Sequence, residues 1–202
     1  MSGTASAPAA AAGVSGGPRL GRLLPVGTPG GINSGLEGMP AGSGIVRRGN
    51  EFIGLDLSLY RLWRAAAAAP QAGDLISWGT ARGIPDAGDR VRALTDAGLL
   101  VEDGPAAHHR IGRLALRLLG ECLGNGADSS PAFLVLGRGG IQMQVDACLF
   151  EILLRSDGVS PVAATCDALD ASRPGRRPGL EALIEGLPLL VRNQVVLLEG
   201  VR

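Results

Sequence analysis

Two stretches of the chain carry one pattern of apolar and polar positions at an offset of 90 residues. Ile45-Val46-Arg47-Arg48-Gly49-Asn50 lies against Val135-Leu136-Gly137-Arg138-Gly139-Gly140. Both read as β-hairpins, because Gly-Asn and Gly-Gly accept the positive φ that tight turns require. Leu55-Asp56 then matches Val145-Asp146, and Tyr60, Leu62 and Trp63 match Phe150, Ile152 and Leu153. At the far end Leu94 matches Ile184, and Leu99-Leu100-Val101 matches Leu189-Leu190-Val191. An offset kept from start to finish points to an internal duplication.

Each copy predicts three helices. Asp56 and Asp146 are N-cap residues, whose carboxylates can accept from the free amides of a first turn. An apolar residue precedes each cap and an aromatic follows four later, which is a hydrophobic staple. The first helix buries Leu59, Leu62, Trp63 and Ala66 in one copy and Leu149, Ile152 and Leu153 in the other. A second helix begins near Asp74 and near Ser160-Pro161, since Pro is tolerated at a first helical position. Gly83 and Pro85 close it in the first copy. The third helix spans Asp89–Ala97, ending at Gly98, and Leu180–Leu187, stopped by Pro188. Strands then follow: Leu189–Val191 with Val195–Leu198 as a hairpin, and Leu99–Val101 with Arg110–Gly112 across a longer loop. Leu114–Cys122 predicts a short helix joining the units.

The fold class expected is therefore α+β, mainly α. It comprises two tandem winged-helix units, each with β-hairpins and three helices, behind a disordered tail. The boundaries are 1–43 for the tail, 44–120 for unit 1, 121–131 for a linker and 132–202 for unit 2. The tail holds 11 glycines and no period, apart from a patch at Leu20–Val26 that could add a strand.

The segments that carry the repeat resemble a known family. Strand, turn, strand and then hydrophobic-Asp-x-x-x-aromatic resembles the PqqD-like peptide-recognition domains of modified-peptide biosynthesis. Residues 132–199, with GGIQMQVDACLFEILLRSDGVSPVAATCDAL, carry most of the likeness, and residues 44–101 carry less. The resemblance implies an antiparallel sheet ahead of a three-helix winged unit. It also implies a peptide bound as an extra strand beside that sheet and against helix 3. RVRALTDAGLLV is similar to the helix-3-to-wing segment of MarR- or ArsR-type regulators.

Composition narrows the chemistry. All 19 basic residues are Arg, which excludes lysine Schiff bases and a lysine-completed phosphate loop. Nineteen acids leave a net charge of zero, so nonspecific attraction to nucleic acid or anionic membrane is weak. Cys122, Cys148 and Cys166 form no CxxC pair and are expected as small buried hydrophobes in a reducing cytoplasm. No apolar run is long enough to span a membrane. Gly13-Val14-Ser15-Gly16-Gly17 fits a nucleophile elbow but lacks the flanking strand and helix. His108-His109, in an exposed wing loop, would point to opposite faces and cannot readily grip one metal. Gly137–Gly140 lacks the following helix that a phosphate cradle needs.

The chain is expected not to be an enzyme and to need no cofactor or metal. The first function expected is a non-catalytic module that binds a peptide or protein by strand addition at a hairpin edge. Its contact residues would be Phe52, Ile53, Trp78, Arg82, Arg90 and Arg92, with Trp63 in the core. The alternative is a DNA-binding regulator that uses Arg82, Arg90 and Arg92 from unit 1. A structural subunit of a larger assembly is the third option, and a homodimer stays open.

Overall fold

The computed structural model describes residues 22–35, 37–69, 71–103, 107–125 and 132–201. Gly13–Gly17, the tail up to residue 21 and the linker residues 126–131 lie outside them. Among the described residues 41% are helical and 28% are in strands, arranged as seven helices and four small antiparallel sheets. The expected mainly helical, winged-helix class is therefore wrong: the fold is mixed, and no hairpin follows either third helix.

The first unit runs β1 (Arg22–Pro25), β2 (Thr28–Ile32), β3 (Gly44–Arg48), β4 (Glu51–Leu55), α1 (Leu57–Ala65), α2 (Ala72–Ala81), α3 (Ala87–Asp96) and β5 (Leu100–Asp103). After α4 (Ala107–Gly112) the order repeats: β6 (Leu114–Leu118), β7 (Glu121–Asn125), β8 (Phe133–Leu136), β9 (Gln142–Val145), α5 (Ala147–Arg155), α6 (Val162–Ser172), α7 (Gly179–Arg192) and β10 (Val196–Gly200). Strands β2-β3-β4 and β7-β8-β9 form three-stranded sheets, while β1 pairs with β5 and β6 with β10. Even an irregularity is duplicated: β2 is bulged between Pro29 and Gly31, and β7 between Cys122 and Gly124. The duplication expected from sequence is thus present in the element order, but each unit starts earlier than expected. Unit 1 includes residues 22–32, assigned to the tail, and unit 2 begins at β6 rather than at residue 132.

The missed strands share one cause, which is partners far away in sequence. Leu114–Leu118 is rich in helix formers, yet it pairs with β10 across the molecule instead of helping to form the expected connecting helix. Thr28-Pro-Gly-Gly-Ile has no strand-like alternation. It lies at a sheet edge, where Pro and a bulge are tolerated. Leu99–Val101 does not meet Arg110–Gly112; β5 pairs with β1, and residues 110–112 end α4. His108 and His109 also belong to α4, not to a wing loop. The expected hairpin at 189–198 is absent because α7 continues through Pro188 to Arg192.

Local helix signals behave as the residues dictate. Asp56 accepts from the amides of Ser58 (2.8 Å) and Leu59 (2.9 Å), and Asp146 from that of Leu149 (2.8 Å). Both staples are buried, Leu55 with Tyr60 and Val145 with Phe150. At the far end of α3, Gly98 N–H donates to Thr95 and Leu99 N–H to Leu94, a Schellman closure. After α7, Gln194 donates to Val191 and Val195 to Leu190 in the same way. These closures equate Ala97 with Asn193, an offset of 96 rather than 90. The duplication therefore drifts, because α7 has 14 residues against 10 in α3.

The two units share buried surface. Leu23 and Leu100 face the first core, with Leu62, Trp63 and Leu94. Leu24, Val26 and Val101 face the second, with Ile152, Leu187 and Leu198. The β1–β5 ribbon is thus covered on both faces, as alternating strand side chains allow. Val26 also bridges to Leu198, and Gly27 N–H donates to the Leu198 carbonyl at 2.7 Å.

Candidate functional site

In each unit the last sheet strand, β4 or β9, has a hydrogen-bonded neighbour on one side only. The third helix of the unit runs past that edge. In unit 2 the space between β9 and α7 is a groove of about 200 Å3, with Met143 and Val145 on one wall and Gly186, Leu189 and Leu190 on the other. Leu149 forms its floor. Leu189 is 53% exposed although it is a large apolar residue on a helix. Gly186 lets α7 lie close against Leu149 of α5, since a Cβ there would sit 2.6 Å from Leu149 Cδ2.

The groove continues past Asp146, Arg177 and Ala182 into a basin of about 340 Å3 that holds Cys148, Arg173 and Arg176. Arg173 pairs with Glu151 and Arg177 with Glu185. Asp170 accepts from the Gly179 amide at 2.8 Å, which fixes the start of α7. Burial, then the Asp146 and Asp170 carboxylates, push the Cys148 thiol up. Cys166, deeper on α6, is pushed up to about 12 by burial first and by Asp170 next.

Unit 1 is built differently at the matching place. The offset of 96 at the helix ends puts Arg90 where unit 2 has Gly186. The Arg90 guanidinium crosses to Asp56 at 2.7 Å and also donates to the Pro85 carbonyl at 3.0 Å. Burial pushes the Asp56 carboxyl up, but the Leu59 amide, Arg90 and the Ser58 amide together hold it below its ordinary value. The loop before β3 also comes close, with Met39 Sδ 3.5 Å from where a Gly54 Cβ would stand.

The six residues expected at the interface do not form one surface patch of free groups. Phe52 is exposed on β4, opposite Arg47. Ile53 is half-buried against the first core. On α2 Trp78 is also half-buried, with Arg82 stacked 4.3 Å above its ring. Arg90 is bound to Asp56, and Arg92 pairs with Asp89 at 3.0 Å. Trp63 is in the core as expected, and its Nε1 donates to the Val26 carbonyl. The groove residues of unit 2 were missed because Pro188 read as a helix stop, which hid Leu189 from the helix face. The signal available was Gly186, a glycine without a turn.

Among the described residues no group of three or more His, Cys, Asp or Glu could hold a metal ion. No helix there is long and apolar enough to cross a membrane. Compared with known proteins, the chain matches no family, no curated protein and no solved structure.

Proposed function

We propose that this chain is a non-catalytic recognition protein that binds a peptide or protein segment as an added strand along β9, against α7. The observation that carries the reading is the open β9 edge facing an apolar groove with Leu189 exposed inside it. An added strand would take its affinity from main-chain hydrogen bonds and its specificity from pockets for alternate side chains. The resemblance to PqqD-like domains suggests the same mode, and unit 2 also carries the better part of that likeness. Unit 1, with Arg90 locked onto Asp56, acts as the supporting copy. DNA binding has less support, because Arg90 and Arg92 are each matched by an aspartate and Arg82 is stacked on Trp78. The three cysteines are free thiols, which suits the reducing cytoplasm as its compartment.

The test is a random-peptide display selection on the full chain, followed by affinities for an enriched peptide. Leu189→Asp should weaken binding at least tenfold, about 1.4 kcal/mol, while Phe52→Ala leaves it unchanged. A selection without enrichment, or binding insensitive to Leu189→Asp, would overturn the proposal. Retarded DNA in a gel at about 50 mM salt, with no peptide enriched, would favour the regulator.

A further inference from the structure

A second cavity lies between the two units and owes nothing to the peptide groove. It measures about 330 Å3 and is walled on one side by the β1–β2 corner and the end of α1. The other wall comes from β6, the β8–β9 turn and the residues after α7. Three guanidinium side chains line it, Arg64 from α1, Arg117 from β6 and Arg138 from the turn. No acid lines it. Trp63 and Leu197 supply apolar wall.

The charge there is unbalanced. Glu199 sits behind Arg117, 1% exposed, and holds it at 3.2 Å together with Arg47 at 3.5 Å. Its Oε1 also accepts from the Thr28 hydroxyl. Among the described residues neither Arg64 nor Arg138 has an ion pair or a side-chain hydrogen bond. Three guanidiniums thus line the cavity, and the one carboxylate behind it, Glu199, is shared between Arg117 and Arg47, which lies outside the cavity. Other arginines are matched with acids, as at Arg48–Glu51, Arg90–Asp56, Arg92–Asp89 and Arg177–Glu185, and those without an acid among the described residues, such as Arg61 and Arg113, do not line this cavity.

Gln194 adds an independent sign. Its backbone is in the left-handed region at φ 54°, where the matching residue of unit 1 is Gly98 at φ 68°. A side chain kept at a position that favours glycine is a strain the fold could have avoided, and such strain collects at ligand sites. Gln194 is one of the residues that line this cavity. Its amide can donate to an anion.

From these observations we infer that the inter-unit cavity binds a small multivalent oxyanion, a molecule bearing phosphate or carboxylate groups. The planar guanidinium fork suits both, since each offers paired oxygens. A space of this size lies at the lower end of small-molecule pockets, which run from roughly 300 to 1,000 Å3. Glu199 acts as a positioning residue that aims Arg117, and Arg64 and Arg138 supply the unmatched charge.

Sodium tripolyphosphate and citrate serve as the two probes, titrated into the full chain at low ionic strength. Binding is read by calorimetry and by Trp63 fluorescence in a Trp78→Phe background. At least one probe should bind and shift the fluorescence. Tripolyphosphate alone would identify a phosphate ligand and citrate alone a carboxylate. Arg64→Gln and Arg138→Gln, both exposed and expected to fold, should each weaken binding at least tenfold, and Arg113→Gln should not. Leu189→Asp should leave it intact, which separates this site from the peptide groove. Binding of neither probe, or a loss no greater for Arg64→Gln and Arg138→Gln than for Arg113→Gln, would overturn the inference.

Discussion

Gln194 and Gly98 close equivalent helices with the same pair of backbone hydrogen bonds, yet only one of them is free of a Cβ penalty. Gln194→Gly should therefore stabilise the protein by about 1 kcal/mol, measured by urea denaturation, while weakening oxyanion binding. Asp157 gives a second test at this scale. Its carboxylate accepts from the Ser160 amide, the Ser160 hydroxyl and the Val159 amide, which hold its pKa at about 2. A carboxyl lowered on folding contributes stability above its ordinary range and loses it as pH falls through the folded value. A pH titration of the Asp157 side-chain carbon by NMR should thus show its midpoint near 2, and Ser160→Ala should raise it. Features of this size were legible where they depend on adjacent residues. The caps at Asp56 and Asp146 and their staples needed only the intervals Leu55–Tyr60 and Val145–Phe150. Gln194 carries no such mark, because nothing about a glutamine announces positive φ.

At the scale of elements, six of the seven helices among the described residues were legible, α4 was not, and the strands were legible only in part. An amphipathic helix such as α5 carries its own period, and Asp146→Ala should lower stability by about 1 kcal/mol in thermal unfolding. The strands β1, β2, β6 and β7 carry little period of their own. β1 pairs with β5 and β6 with β10 far apart in sequence, as the register partners Arg22–Asp103 and Arg117–Leu197 show. A local reading therefore gave Leu189–Val191 to a hairpin with its nearest strand-like neighbour. The duplication was visible, but its constant offset was not real. Gly44 stands against Tyr60, where a Cβ would lie 2.1 Å from the ring, while unit 2 stacks Phe133 on Phe150 at 4.5 Å. Gly44 pairs with Leu55 and Phe133 with Val145, so the strand offset is 89 where the helix offset is 90. The candidate groove was half legible: a sheet edge and a third helix were expected in unit 1, whereas the open groove lies in unit 2, and in unit 1 Arg90 is paired with Asp56.

For the whole molecule, Glu199 is the tie between units. Burial raises its pKa, but the Thr28 hydroxyl, Arg117 and Arg47 together bring it below the ordinary value. Its contribution is present above the ordinary glutamate range and fades as pH falls through the lowered value. Glu199→Gln should cost about 2 kcal/mol near neutral pH and flatten the stability curve below about pH 4, both measurable by denaturant titration.

The β1–β2 corner has a kinetic side as well. Thr28 and Glu199 are 171 residues apart, so the contact that seats the first corner closes nearly the whole described chain into one loop. Closing so long a loop costs entropy before any contact repays it, which slows docking relative to the local helices. Refolding should proceed in two stages, an early rise in helical signal and a later Trp63 fluorescence change as Leu197, which lines the same cavity, arrives beside it. Until that second event the oxyanion cavity has only one wall, so ligand added to the refolding mixture can trap only chains whose ends have already met.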